Sequence, residues 1–209
     1  MPLSKIEWTA SQCGWALWHI DEQEENLATM AKSEICPKDI ISPLKRLEWL
    51  AGRILIMTLT EKAGLAYNGM FKDEYGKPYL NDHPHPISLS HSYPYVAAQL
   101  DRFQSVGIDV EQPKEKLLTI AHRVLNTVER KDAGSNIQKN CVYWCAKEAL
   151  YKIYGKRGLS FAEHLHVQPF ELQEKGIING SFPSGDKEQM IILEYSLHKD
   201  FVLVLTKTN

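Results

Sequence analysis

The chain predicts an α+β protein built from two similar halves, and two observations predict it. An order of strand, helix and then strands occurs twice along the 209 residues, and the strands follow one another closely instead of alternating with helices, which favours small, mostly antiparallel sheets packed on helices. The halves are expected to be pseudo-symmetric, covering residues 1–100 and 101–209. A cleft between such halves is the expected place for a site.

The elements follow in order. Residues 14–20, Gly-Trp-Ala-Leu-Trp-His-Ile, read as a first strand, and Asp21 with Glu24 three residues later reads as the capped start of a short helix. Ser42 and Pro43 then open a longer helix, in which Leu44, Leu47, Leu50, Ala51, Ile54, Leu55 and Leu59 keep helical spacing until Gly64. Between residues 69 and 86, Gly76, Pro78, Pro84 and Pro86 predict turns and extended chain. Residues 87–92, 95–100 and 103–110 read as three strands of one antiparallel meander, with Asp101-Arg102 as a tight turn.

In the second half, residues 117–125 are helical, and Asn126 or Thr127 caps a shorter helix that Gly134 ends. A helix bearing Trp144 follows and stops near Gly155. The β-rich runs 190–197 and 201–206, joined by His198-Lys199-Asp200, predict a closing hairpin.

Composition narrows the function. A formal charge of −2, from 24 basic and 26 acidic residues, argues against nonspecific binding to nucleic acid or an anionic membrane, so any phosphate recognition must be local. No uninterrupted apolar stretch reaches signal or membrane-spanning length, which predicts a cytoplasmic protein. Cys13, Cys36, Cys141 and Cys145 contain no Cys-x-x-Cys pair and are expected to be reduced, structural thiols. The pairs His83/His85 and His164/His166 lack neighbours at structural-zinc spacing, and no Gly-x-x-x-x-Gly-Lys-Ser/Thr loop supports a kinase.

Two blocks carry chemistry. In Gly107-Ile108-Asp109-Val110-Glu111, an apolar strand ends in two acids that share one face of the pleat. In Trp144-Cys145-Ala146-Lys147-Glu148-Ala149-Leu150-Tyr151-Lys152, Trp144, Glu148 and Lys152 recur every fourth residue and form one helical stripe. Taken alone, the first is an ordinary solvated strand end and the second a surface ion pair beside a core tryptophan. Taken together, three carboxylates can hold a hard divalent cation against phosphates while a lysine neutralises remaining charge.

The joint pattern resembles the 4′-phosphopantetheinyl transferases, in particular the monomeric class that includes the surfactin-synthetase activator. Gly76-Lys77-Pro78 and Ser90-His91-Ser92 stand upstream in the family's order, and residues 123–129, beginning with Arg123 and ending with Glu129, resemble its Arg-Phe-Phe-x-x-x-Glu stretch. Val124 and Leu125 replace the usual aromatic pair. The resemblance is good over residues 70–152 and weak outside them.

That resemblance implies transfer of the phosphopantetheine arm of coenzyme A to a serine of an acyl or peptidyl carrier protein, with adenosine 3′,5′-bisphosphate leaving. It implies Mg²⁺ held by Asp109, Glu111 and Glu148, with Glu148, or a water that Glu111 orients, taking the serine proton and Lys152 stabilising the departing bisphosphate. Coenzyme A would meet Arg46, Arg53, Gly76, Lys77, Pro78, Ser90, His91 and Lys152, so the first half would contact its phosphate and adenine groups and the second would carry metal and catalysis. Arg46 and Arg53, seven apart, share a helix face, as basic residues that meet coenzyme A phosphate do in relatives. Lys147 and Tyr151 are candidates for carrier docking, Glu129 for an assisting acid, and the protein is expected to act as a monomer without nucleic acid or membrane. The alternatives are a nonenzymatic coenzyme A binding protein and a metal-dependent hydrolase of a nucleotide pyrophosphate.

Overall fold

The computed structural model describes residues 3–8, 13–32 and 34–207, and the chain's contacts separate into two compact units between Val106 and Gly107. The first unit runs β1 (Leu3–Trp8), β2 (Cys13–His19), α1 (Glu24–Met30), α2 (Pro43–Lys62), β3 (Met70–Lys72), β4 (Pro78–Leu80), β5 (Ile87–Ser92) and β6 (Tyr95–Asp101). The second runs β7 (Ile108–Glu111), α3 (Lys116–Val124), α4 (Thr127–Ala133), α5 (Ile137–Tyr154), α6 (Phe161–His164), β8 (His166–Val167), β9 (Lys175–Ser184), β10 (Lys187–Leu197) and β11 (Val202–Thr206). Both units follow one plan, an antiparallel sheet packed on a long helix, so the chain is α+β.

In the first unit the strand order is β1-β2-β6-β5, every neighbour antiparallel. Pro43 sits in the first turn of α2, where its missing N–H costs nothing, and the helix lays Leu50, Ala51, Ile54, Leu55 and Leu59 on Ala16, Trp18, Val96, Ala98 and Leu100. Each such aliphatic side chain taken out of water contributes about 1.5–3 kcal/mol. At Gly52 an added Cβ would lie 2.8 Å from the Leu89 side chain, so this glycine lets β5 close up under the helix.

The segment read as turns also holds order. β3 and β4 pair as a short hairpin, whose turn is held by the Asp73 carboxylate accepting from the Tyr75 and Lys77 N–H groups at 3.0 and 2.8 Å, with Gly76 at φ +88°. Three-residue strands lack the length to show alternation, which is why the prolines and glycine dominated that reading.

The expected three-strand meander is corrected. β5 and β6 pair as expected, but after Asp101 the chain leaves the sheet, and β7 pairs with β11 of the second unit in the register Asp109↔Val204 and Glu111↔Val202. The Asp101 carboxylate turns the chain by accepting from the N–H groups of Phe103 and Gln104 at 2.7 and 2.8 Å. An apolar run names a strand without naming its partner.

The second sheet has the order β7-β11-β10-β9-β8, again antiparallel throughout. The predicted closing hairpin is β10 and β11, while β9 escaped notice because Gly176, Gly180 and Pro183 interrupt it. Helix α5 begins at Asn136, whose side chain accepts from the Lys139 N–H at 3.0 Å, and ends at Gly155 in the left-handed region at φ 68°. It buries Val142, Cys145, Ala146, Ala149 and Leu150 against Ile178, Leu193, Tyr195, Val202 and Val204.

Candidate functional site

Strand β7 delivers its acids to the helix side of the second sheet. Asp109 and Glu111 alternate with Val110, so they share a face; Asp109 is buried and Glu111 half-buried at the strand's end. The approach of β7 to α5 is close, since a Cβ on Gly107 would lie 2.1 Å from the Ala149 carbonyl oxygen. Only glycine fits there. The turn of α5 that begins at Ala149 carries Lys152, whose Nζ donates to the Ile108 carbonyl at 2.8 Å and to Asp109 Oδ1 at 2.7 Å.

Glu148 completes the group. Burial first, and then the neighbouring Asp109 carboxylate, push its carboxyl up to about 7, with Lys152 pulling the other way and Glu111 adding to the rise. Like charges at this range repel strongly in a poorly solvated setting, and a divalent cation among them removes that repulsion. The donor set is carboxylate oxygen, which suits a hard cation such as Mg²⁺. Among the described residues, however, no three His, Cys, Asp or Glu side chains are gathered around one point at ligand distance, and Asp109 is held directly by Lys152.

Two thiols lie along the same contact. Cys141 Sγ donates to the Glu111 carbonyl at 3.7 Å, and Cys145, fully buried, sits beside Cys141 and Asp109. Burial and those neighbours raise the Cys145 thiol well above its ordinary range, so it is a weak nucleophile. All four cysteines are unbridged and buried.

Lys147 corrects one expectation. Its side chain is 0% exposed, ruling out a role in carrier docking, and its Nζ reaches Glu129 Oε2 at 2.5 Å and the carbonyls of Val124 and Phe161 at 2.9 Å each. Glu129, 1% exposed, accepts from the N–H groups of Asn126 and Val167 at 2.8 and 2.9 Å and forms a capping box with Asn126. Every polar atom of this pair is used inside the fold, so Glu129 is a fastener of α4, β8 and α5. Tyr151, half-buried, packs on Phe161 with ring centres 5.3 Å apart.

The remaining candidates belong to the first unit. Lys77, half-buried at the hairpin turn, has its ammonium pushed down by burial, against the pull of Asp73. Pro78 opens β4, and the exposed Tyr79 stacks on Phe71 with ring centres 5.6 Å apart. On β5, Ser90 is buried and His91 exposed, as alternation requires.

The two arginines of α2 have work within the unit. Arg46 pairs with Glu24 at 2.7 Å and donates to the Ile40 carbonyl at 3.2 Å, while Arg53 donates to the Met70 carbonyl at 2.7 Å and stacks on Trp49. They tie α1, the 37–40 loop and β3 to the long helix. The four separate histidines likewise have ordinary partners: His83 and His85 contact the carbonyls of Ala66 and Arg102, His164 accepts from the Ser160 N–H, and His166 lies 4.0 Å from Glu188.

One residue escaped the sequence reading altogether. Glu48 is 3% exposed and accepts from Lys45 Nζ at 2.7 Å and the Tyr93 N–H at 3.0 Å, with His91 Nδ1 3.2 Å away. Its signal was present, for it lies three and seven residues before Ala51 and Leu55 and so interrupts the buried face of α2 with a charge.

Comparison with known proteins bears on both units. Residues 105–205 match the family model described as the 4′-phosphopantetheinyl transferase superfamily. The chain is 31% identical over 165 residues to a 4′-phosphopantetheinyl transferase of Bacillus subtilis, covering 75% of this chain and 71% of that protein. It is also 36% identical over 104 residues to the 4′-phosphopantetheinyl transferase Sfp of Bacillus subtilis strain 168, covering 44% of this chain and 46% of that one.

Proposed function

The chain belongs to the 4′-phosphopantetheinyl transferase superfamily, and from that premise we propose the chemistry its residues perform. It is a transferase that moves the phosphopantetheine arm of coenzyme A onto a serine of an acyl or peptidyl carrier protein, releasing adenosine 3′,5′-bisphosphate. The observation that carries the assignment of roles is that, inside the matched region, Lys152 bonds to Asp109 while Asp109 and Glu111 both act on the buried Glu148 carboxyl.

In this reading Asp109, Glu111 and Glu148 would hold Mg²⁺, and its charge would make the pyrophosphate more open to attack. Either Glu148 or a water that Glu111 orients would accept the proton of the attacking serine. Lys152, anchored between Asp109 and the Ile108 carbonyl, meets the negative charge that builds on the leaving bisphosphate. Cys141 and Cys145 keep the acid-bearing strand seated on α5.

The first unit supplies the coenzyme A contacts. His91, with Ser90 beside it, would meet a phosphate, Lys77 and Pro78 would line the adenine end where Gly76 lets the chain pass close, and Arg46 and Arg53 would add positive charge while steadying the segments around them. In this reading the protein is a cytoplasmic monomer whose partners are coenzyme A and a carrier protein; no described helix is long and apolar enough to cross a membrane, and a charge of −2 gives no general attraction to polyanions.

Incubation with coenzyme A, Mg²⁺ and a panel of apo fatty-acid, polyketide and peptide carriers tests this reading, followed by intact-protein mass spectrometry. One carrier or more is expected to gain the mass of phosphopantetheine. Binding of coenzyme A with no gain on any carrier supports the nonenzymatic alternative, and phosphopantetheine released without a carrier supports the hydrolase.

A further inference from the structure

His91 is the candidate phosphate contact, and the residue that decides how its ring stands is Glu48. The two meet because α2 crosses β5 at a fixed height: Leu89 packs at Gly52, and two residues further along the strand, one turn back along the helix, His91 reaches Glu48. We propose that Glu48 is a positioning residue for coenzyme A recognition, holding the His91 imidazole by its Nδ1 so that the opposite ring nitrogen is presented to a phosphate oxygen. The inference rests on the phosphate reading of His91 and deepens it.

Three features support the assignment. Glu48 is 3% exposed while the His91 side chain keeps 46% of its surface in water, so the carboxylate fixes one end of a ring whose other portion reaches solvent. A carboxylate accepting from Nδ1 fixes which ring nitrogen faces away from Glu48, and a ring that donates at both nitrogens bridges the acid and a phosphate oxygen. Glu48 is itself held from two other sides, by Lys45 Nζ at 2.7 Å and the Tyr93 N–H at 3.0 Å. Its position is therefore set before any ligand arrives.

The charges agree with an anionic ligand. Lys45, 57% exposed at its side chain, sets a positive charge against the single negative charge of Glu48. The acid is buried, and the Lys45 ammonium and the His91 ring lie toward the water. An acid in this place orients a donor without reversing the sign of the local field.

The test is a double-mutant cycle of Glu48→Gln and His91→Ala, read as the dissociation constant of coenzyme A by calorimetry and as KM and kcat with a carrier that the wild type modifies. Glu48→Gln is expected to weaken coenzyme A binding and raise KM by about tenfold with kcat within twofold, and to change neither further once His91 is alanine. Equal losses in both backgrounds, a fall in kcat at unchanged KM, or unaltered binding each overturn the proposal. Should Glu48→Gln melt far below the wild type, Glu48→Asp takes its place, expected to retain part of the affinity by keeping the charge. Wild-type protein that binds no coenzyme A defeats the functional reading itself, whereas wild-type binding matched by Glu48→Gln defeats this inference alone.

Discussion

Glu129 and Glu148 are acids of one unit, the first paired with Lys147 of α5 and the second under the field of Lys152 of the same helix, and their surroundings are opposite. Glu129 is met by Lys147 and two backbone N–H groups, with no other carboxylate among its hydrogen-bond partners. Glu148 is met by Asp109 and Glu111, with Lys152 as the opposing charge. A buried charge is tolerated when partners offset its lost hydration, and a surplus of one sign leaves a cost that an outside ion relieves. Lys147 and Glu148 are consecutive residues, so one step along α5 separates a residue that serves the fold from one to which the proposed function gives a catalytic role.

The sharpest test of that contrast is Glu148→Gln. Transfer, followed as mass gained by the carrier, is expected to fall by about 10²–10⁴-fold, the range for losing a positioned proton acceptor. Thermal unfolding should stay level or move upward, because a mutually repelling charge has gone. A large loss of stability in this variant breaks the comparison.

Next in size is Lys147→Met. Removing the lysine leaves Glu129 buried with a charge and no counter-ion, and urea unfolding should show a loss of about 3–5 kcal/mol. Adding Glu129→Gln to the same chain should recover part of it, since the stranded charge is then absent. A Lys147→Met protein with wild-type stability would place the pair outside the fold's essential contacts.

The smallest effect concerns a third acid. Asp132 resists the upward push of its burial because Tyr143 and Lys139 bond to it, and its carboxyl is held below the ordinary 3.8. Its folded value is depressed, so it contributes stability that is present above 3.8 and is lost as pH falls through the folded value. Asp132→Asn should flatten the acid limb of an unfolding curve measured below about pH 4 and leave the neutral region little changed. An unaltered acid limb would show that these bonds form equally in the unfolded chain.

Much of this was legible in the sequence. The caps at Pro43, Asn126, Gly134 and Gly155, the Trp144 helix and the closing hairpin follow from local chemistry, and local chemistry is what a sequence displays. The carboxylates of the second unit were legible because strand alternation and helical spacing each put them on one face. Partnership was hidden. Nothing local says that β7 joins β11, that Lys147 turns inward while Lys152 turns toward Asp109, or that His91 has an acid behind it. Lys147 and Lys152 differ by five residues, which places them on different sides of the helix, but which side is buried depends on a sheet that the chain forms only after β11 is complete.

The contact of Gly107 with the Ala149 carbonyl has a lasting consequence for variation in this protein. Main chain meets main chain there, so the gap between strand and helix at this point is set chiefly by two peptide groups, with the Ile153 side chain close by. Residues elsewhere along that interface can drift in size over evolutionary time without altering the gap, provided position 107 never acquires a β-carbon.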